Sequence, residues 1–379
     1  MRLFKHLNYD FMAKRNIFYI VSLALFIFGV INILFRGLEF GIDFRGGSEI
    51  VLQFDNAIKI EQVRDNVNKI GLGTVEVKTF GGSTGVLIRT ELQQIPTELF
   101  PRVASEVQEF LKEKLGEQSA TQTTSTGGSV TYKFATADAA NNAVQALNDA
   151  GFQAGRVAFE ADNTEVLVRV GISDWIKINL RDKITNNNFD ILREDRVGPK
   201  VGDELRRDAM LAVILSLVGI LIYLGFRFKF LFAIGAVVAL FHDALITLGF
   251  YAILYGVIPG LNLEIDLTVV AAFLTLIGYS INDTVVVFDR IREVIKIHKG
   301  EKLEKLMNES ISATMSRTVL TGGTTLLTVV ILLIFGGEVL RAFSFTLFFG
   351  IIIGTYSSIF VAAALVLDWA IMFKNKVEF

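Results

Sequence analysis

Six long apolar stretches divide the chain into membrane-crossing segments and polar connections. Each stretch is long enough to cross the roughly 30 Å hydrocarbon core of a bilayer as an α-helix. Their predicted bounds are Asn16–Phe35, Ala209–Phe226, Phe230–Tyr255, Leu267–Phe288, Thr318–Phe335 and Ala342–Trp369. The pattern therefore predicts a polytopic α-helical membrane protein with six transmembrane helices.

The polar stretch between the first two spans, residues 37–206, predicts a large extracytoplasmic domain. Its pattern repeats without gaps at an offset of 80 positions, so that Arg89 recurs as Arg169. Each copy, about 37–118 and 128–205, shows the order strand, helix, two strands, helix, which is typical of a ferredoxin-like α+β module. The Ser/Thr/Gly tract Ser119–Ser129 marks the predicted boundary between the copies. Residues Gly81–Gly85 indicate a hairpin turn rather than a phosphate-binding loop, since no helix with a lysine follows.

The distribution of basic residues predicts the orientation in the membrane. Residues 1–15 form a predicted cytoplasmic N-terminus, followed by an uncleaved first span at 16–36. Arg227 and Lys229 precede the third span, and seven Lys or Arg fall in a predicted cytoplasmic loop at 289–317. The opposite loops carry only Arg341. The positive-inside rule then places both termini in the cytoplasm and the large domain outside, with residues 207–379 forming a five-helix bundle.

The amino-acid composition argues against several classes of function. The chain has 379 residues, of which 52% are apolar, and a formal net charge of -2, which disfavours nucleic-acid binding. It has no cysteine, and its three histidines lack the spacing of a metal site. We expect no cofactor, no metal centre and no catalytic site.

Asp283 is the most informative residue, because a carboxylate within a membrane span is costly and commonly marks an ion or proton path. Small and hydrogen-bonding residues surround it, including Ser280, Asn282 and Thr284. Thr275, Gly278, Asn282 and Asp289 share one helical face that Asp283 adjoins. Asp283 is therefore predicted to point into a helix bundle, where it either carries protons or holds helices together by hydrogen bonds.

Arg317 begins the fifth span, and Thr321, Thr324 and Thr328 share its helical face. In an antiparallel pair of spans four and five, Arg317 could be the counter-charge of Asp283. Alternatively, its side chain extends to the lipid headgroups.

Further intramembrane polarity comes from His242-Asp243 in span three, which could relay protons or provide local structural polarity. Asp289 and Arg290 belong to an alternating charge cluster that a solvated helix end also explains. Gly350, Gly354 and Ser358 in span six indicate close helix packing.

Together, several motifs resemble the SecF family of the bacterial Sec protein-export machinery, a relative of the RND transporters. Asp43, Gly46 and Gly47 lie in the string GIDFRGG, and Asp283, Asp289 and Arg290 lie in the string GYSINDTVVVFDRIRE, followed by Ser316-Arg317-Thr318. The matching strings also include VGPKVG at 197–202 and His242-Asp243.

The resemblance implies a six-span partner, SecD, docking with the SecYEG channel, and use of the proton-motive force to move preproteins across the cytoplasmic (inner) membrane. It also implies that Asp283 is the ion-coupling acid, that Arg317 is its basic neighbour and that Asp243 is a further membrane acid. The exported domain is larger than the single module expected of the family.

Two other functions fit parts of this pattern. An RND-type exporter of small molecules or lipids would have twelve spans and two exported domains. A non-energised translocase scaffold would use its acids for helix packing alone.

Overall fold

A computed structural model describes residues 9–116, 121–126, 128–150, 152–158, 163–181, 183–184, 186–258, 261–298 and 300–372. The outer parts of the predicted cytoplasmic termini, residues 1–8 and 373–379, therefore lie outside the described residues. So do residues 119, 120 and 127 of the predicted boundary tract, and Lys299 of the predicted cytoplasmic loop.

The membrane helices and the sheet-bearing part belong to two compact units. In chain order, the first elements are α1 (Arg15–Arg36), α2 (Ile42–Arg45), β1 (Gly47–Phe54), α3 (Ile60–Val67), β2 (Val75–Thr79), β3 (Gly85–Thr90), α4 (Phe100–Leu115) and β4 (Thr121–Thr126). The next are β5 (Ser129–Lys133), α5 (Ala137–Asp149), β6 (Gln153–Arg156), β7 (Glu165–Arg169), α6 (Ile172–Arg181) and β8 (Phe189–Val197). The remaining helices are α7 (Pro199–Arg227), α8 (Phe230–Leu254), α9 (Leu267–Ile297), α10 (Leu303–Phe335), α11 (Gly337–Ser357), a π-helical turn (Ser358–Ala363) and α12 (Ala364–Met372).

The membrane unit comprises the chain up to Asp43 and from Glu204 onwards, and it contains six helices long and apolar enough to cross a membrane among the described residues. The sixth span is assembled from α11, the π-helical turn and α12. The six predicted spans are thereby confirmed.

The helices extend further than hydropathy predicted. The expected loop at 289–317 is mostly helical, because α9 continues to Ile297 and α10 already begins at Leu303. Hydropathy detects the part of a helix that suits lipid, whereas charged turns beyond the membrane stay helical through pairs such as Arg290–Glu293 at 2.6 Å.

The second unit, Phe44–Asp203, contains two four-stranded sheets. Their strand orders are β2-β3-β1-β8 and β4-β5-β7-β6, and every pairing is antiparallel. One hydrophobic cluster includes side chains of both sheets and of the helices, with Trp175, Tyr132 and Phe54 among its largest fully buried members. The unit is smaller than the predicted 37–206, since residues before Phe44 and after Asp203 belong with the membrane helices.

Each sheet takes its fourth strand from outside the copy that supplies the other three. Strand β8, near the end of the second predicted copy, pairs with β1 of the first copy, and β4, which lies between the two copies, pairs with β5 of the second. The described part of the Ser119–Ser129 tract is thus a strand rather than a loop, as its threonines favour. The interpretation of the unit as duplicated ferredoxin-like modules, divided at this tract, stays a prediction.

One glycine-bearing segment adopts its predicted turn, and another depends on glycine for its backbone conformation. Strands β2 and β3 form the hairpin expected around Gly81–Gly85, closed by the Phe80 amide donating to the Gly85 carbonyl at 2.9 Å. At the start of β1, Gly47 has φ 116°, and a Cβ there would overlap the Thr90 carbonyl oxygen. Glycine is therefore required at this position for conformational and steric reasons.

Candidate functional site

The start of α9 is tied to the segment that follows α1. The Asp266 carboxylate caps α9 by accepting from the Val269 amide at 2.8 Å, and Asp43 Oδ2 accepts from the Leu267 amide at 3.0 Å. The Gly41 amide also donates to the Ile265 carbonyl at 2.9 Å. Burial raises the pKa of Asp266, and the Val269 hydrogen bond opposes that rise. The motif residue Asp43 thus acts as a second carboxylate at the positive end of α9.

Asp283 lies four to five helical turns further along α9, as about 3.6 residues per turn require. Its side chain is buried, with the residue 4% exposed, and its Oδ2 atom has no hydrogen-bond partner within the described residues. The neighbouring Thr284 is also buried but donates to the Ser280 carbonyl on its own helix at 3.2 Å. A buried carboxylate oxygen without a partner is energetically costly, which is the condition under which a proton binds readily.

Arg317, on α10, is exposed. The side chains of Arg317 and Asp283 make no direct ion pair within the described part of the chain. Thr321 and Thr324 are likewise exposed, and their hydroxyls donate to carbonyls of α10 itself, at 2.9 Å in each case. Arg317, Thr321 and Thr324 therefore lie on an exposed, polar part of α10.

One face of α9 is polar and exposed. It carries Thr275, Gly278, Asn282 and Asp289, the face that the sequence predicted. Thr275 donates to the Ala271 carbonyl at 2.8 Å, whereas no hydrogen bond of the Asn282 amide is found among the described residues. Lipid offers a side-chain amide no partner, so this face is suited to protein or water.

Asp243, on α8, forms a second and very different acid centre. The residue is 1% exposed, and its Oδ2 accepts hydroxyl hydrogen bonds from Ser280 at 2.8 Å and from Ser357 at 2.7 Å. Its Oδ1 lies 3.0 Å from His242 Nδ1. Three helices therefore meet at this one carboxylate.

The contact between His242 and Asp243 was left open by the sequence, because successive residues of a helix point in different directions. In the structure the side chains bend together and form the hydrogen bond, while His242 Nε2 is buried without a partner within the described residues.

Charges at the C-terminal end of α9 make local ion pairs. Asp289 pairs with Arg227 at 3.4 Å, and Arg290 pairs with Glu293 at 2.6 Å. All four side chains are at least 40% exposed. This arrangement matches a solvated helix end better than a buried relay.

Ser357 is the functional residue that sequence reasoning missed. The spacing in span six pointed to Gly350, Gly354 and Ser358, but it is Ser357 that reaches Asp243. The packing interpretation of the glycines agrees with the structure, because a Cβ at Gly350 would overlap Leu276 and one at Gly354 would approach Ser280 Oγ to 2.9 Å. The adjacent serines Ser357 and Ser358 were the available signal.

The arrangement combines a satisfied acid and an unsatisfied acid on packed helices. Ser280 and Asp283 lie on α9 about one turn apart, so the hydroxyl that binds Asp243 is close along the helix to the unpaired carboxylate. No group of three or more His, Cys, Asp or Glu suited to a metal ion occurs in the described ranges. Proton binding is the chemistry that these groups support.

Comparison with known proteins places these features in a family. Residues 177–371 match the family described as protein export membrane protein SecD/SecF, C-terminal, and residues 31–58 match the SecD/SecF GG motif. The chain is 38% identical over 369 residues to the protein translocase subunit SecF of Rhodothermus marinus, covering 97% of this chain and 95% of the relative. Its identity to the same subunit of Vibrio alginolyticus is 33% over 362 residues, covering 95% and 90%. Both alignments thus span nearly the whole of this chain and of each relative.

Solved structures lead to the same family. The crystal structure of SecDF from Thermus thermophilus, a translocon-associated membrane protein, matches with a TM-score of 0.65 and 28% identity. A super-membrane-facing form of SecDF matches with a TM-score of 0.57. The first match covers 97% of this chain and 39% of the SecDF chain, so this chain corresponds to about two-fifths of that protein. By sequence, architecture and motif, the chain belongs to the SecD/SecF family of protein export membrane proteins.

Proposed function

We propose that this chain is an accessory subunit of the Sec protein translocase in which proton passage at Asp283 promotes preprotein transport across the bacterial cytoplasmic membrane. The observation that carries the proposal is the buried, unpartnered Oδ2 of Asp283 within a membrane-spanning helix. Arg317, on the adjacent α10, is the proposed counter-charge of Asp283. Binding and release of a proton then change the relative free energies of two helix packings.

Movement of α9 would be transmitted to the chain segment that leads out of the membrane helices. The hydrogen bonds from Gly41 to Ile265 and from Leu267 to Asp43 join the start of α9 to the segment that continues into Phe44 and the exported unit. A shift of α9 along its axis would pull on this segment. The proton-linked change at Asp283 would thereby reach the domain that meets the emerging preprotein.

The exposed polar face of α9 and the exposed threonines of α10 support a membrane partner. In the family, that partner is SecD, which supplies a second set of six spans. Its helices would cover Asn282 and Thr324 and exclude lipid from the space between Arg317 and Asp283. Docking of the pair to the SecYEG channel and contact with membrane lipid complete the proposed assembly.

The proposed orientation has both termini in the cytoplasm and the two-sheet unit on the extracytoplasmic side. It rests on the basic residues of the short loops, of which Arg227, Arg290 and Arg292 are exposed or half-buried at neighbouring helix ends.

The test is preprotein translocation into inverted membrane vesicles with and without an ionophore. Asp283→Asn should abolish the gradient-dependent part of transport, because the amide keeps the shape of the side chain but carries no titratable proton. Glu293→Gln, an exposed site on the same helix, is the matched control and should behave as wild type. Ionophore-sensitive transport at the wild-type rate in Asp283→Asn, with normal membrane abundance, would leave the scaffold function as the better account.

A further inference from the structure

The sixth membrane span is not one continuous α-helix. Between α11 and α12, residues Ser358–Ala363 form a π-helical turn. Such turns are rare, close hydrogen bonds from residue i to i+5, and occur frequently at functional sites. A single π-helical turn accommodates one residue more than an α-helical turn. Conversion of this turn to α-helix would therefore shift the register of α12, which follows it, by one residue.

Ser357, directly before the π-helical turn, has two acceptors for its single hydroxyl hydrogen. One is Asp243 Oδ2 on α8 at 2.7 Å, and the other is the Gly354 carbonyl on its own helix at 3.1 Å. The next residue, Ser358, donates instead to the Thr355 carbonyl of its own helix at 3.0 Å. Ser357 therefore has both a cross-helix and a same-helix acceptor for its hydroxyl, whereas Ser358 donates within its own helix.

Beyond the π-helical turn, α12 is held by α1. Arg15 Nε lies 2.7 Å from Asp368 Oδ1, and the Tyr19 hydroxyl donates to Asp368 Oδ2 at 3.0 Å. These contacts require the present register of α12, because a one-residue shift rotates a helix by about 100° and moves it by about 1.5 Å along its axis.

We infer that Ser357 is a positioning residue for Asp243, and that the π-helical turn is a register switch set by the charge on Asp243. With Asp243 ionised, two hydroxyl donors converge on Oδ2, an arrangement that a carboxylate favours. Protonation weakens both bonds, Ser357 turns to the Gly354 carbonyl, and the π-helical turn closes into α-helix. Helix α12 then rotates, and Asp368 leaves Arg15 and Tyr19.

The switch is coupled to the rest of the bundle through charge. His242, on α8 itself, contacts Asp243 directly, and Asp283 lies about one turn from Ser280 on α9. Other helices packed against α8 also carry ionisable groups. These are Arg15, Tyr19 and Arg36 on α1, Tyr279 and the charged residues within 289–296 on α9, Glu338, Arg341 and Tyr356 on α11, and Asp368 on α12. This inference rests on the proposed proton-driven function only for its biological use, since the register change itself is a property of the bundle.

A distance measurement tests the switch without any transport assay. The chain has no cysteine, so Ile297→Cys and Ile371→Cys, both exposed positions on α9 and α12, can carry a pair of spin labels in the full-length protein with its partner in nanodiscs. Asp243→Asn, a neutral mimic, should displace the Ile371 backbone by about 4 Å, as expected for a one-residue rotation and rise. Ser357→Ala should give the same displacement, and Ser358→Ala should give the wild-type distance.

A deletion separates the register switch from simple loss of packing. Removal of Val361 converts the π-helical turn into α-helix while keeping α12 in its present register. The distance in this variant should equal that of the wild type and should no longer respond to Asp243→Asn. The switch is refuted if Asp243→Asn and Ser357→Ala keep the wild-type distance, or if the deletion variant still responds to Asp243→Asn.

The same variants distinguish this inference from the proposed function. If the spin-label distances shift as described but Asp283→Asn transports normally, the register switch stands and the proposed function fails. Unchanged distances together with an inactive Asp283→Asn would refute the register switch and support the proposed function.

Discussion

The membrane bundle contains two buried acids with opposite surroundings. Asp243 has hydroxyl donors from α9 and α11 and a histidine beside it, so both oxygens have partners. Asp283 is nearly as buried but leaves Oδ2 without a partner among the described residues and has a positive charge only at a distance.

The difference shows that burial alone does not assign a role to an intramembrane acid. A carboxylate with its full set of hydrogen-bond donors holds neighbouring helices in place. Its removal leaves those buried donors without an acceptor. A carboxylate without donors contributes little to packing and responds strongly to protonation. The proposed roles follow this difference, with Asp283 as the proton-binding group and Asp243 as the group through which protonation alters the structure.

The largest expected effect is a difference in stability between variants that lack one or the other acid. Asp243→Ala should lower the free energy of unfolding of the bundle by about 2 to 3 kcal/mol, because buried hydroxyl and imidazole groups lose their partner. Asp283→Ala should change it by less than about 0.5 kcal/mol, because it removes an unpaired charge whose burial was itself costly. Unfolding of both variants in detergent micelles measures the contrast, and equal losses would show that the two acids contribute alike to packing.

The next effect concerns the close approach of helices around Asp243. Gly354→Ala places a Cβ 2.9 Å from Ser280 Oγ and 3.5 Å from Asp243 Oδ2. It should destabilise the bundle by about 1 to 3 kcal/mol, as overpacking does. Gly323→Ala on α10 is the control, because no described atom lies within 4 Å of its added Cβ. Thermal unfolding of the two variants should differ, and a neutral Gly354→Ala would mean that α11 is free to move away from α9.

A smaller effect is expected at the start of the helix that carries Asp283. Asp43→Ala removes the carboxylate that accepts from the Leu267 amide and should cost about 1 kcal/mol, as loss of a helix cap does. Asp43→Asn retains an acceptor and should lose less. Amide hydrogen exchange at Leu267 reports the change locally, with the Val269 amide, which Asp266 caps, as the internal reference.

The smallest effects should come from the exposed threonines. Thr275→Val and Thr324→Val replace hydroxyls that donate only to their own helix, so the stability of the chain by itself should change by less than about 0.5 kcal/mol. Their effect should appear when the proposed partner is present, as weaker co-purification. Destabilisation of the chain alone would show that this face packs within the bundle instead.

Much of this architecture could be predicted from residue patterns. The six spans, the position of the exported domain and the β2–β3 hairpin follow from hydropathy, alternation and turn residues, which are local signals. Asp283 could also be singled out, because an acid in an apolar run is conspicuous without any structure. Its exposed neighbours Thr275 and Asn282 followed from helical spacing alone.

The rest depended on contacts between distant parts of the chain. Helix spacing could not distinguish Ser357 from Ser358 as the donor to Asp243, because the π-helical turn and the approach of α8 are set by packing. Pairing of β8 with β1, which lie at opposite ends of the two-sheet unit in sequence, likewise depends on long-range strand pairing. The sequence by itself determined which segments cross the membrane and which carboxylates are buried there, since both follow from the cost of placing polar groups in lipid. Only the tertiary structure decided which carboxylate finds hydrogen-bond donors, because those donors come from helices separated by up to 114 residues along the chain.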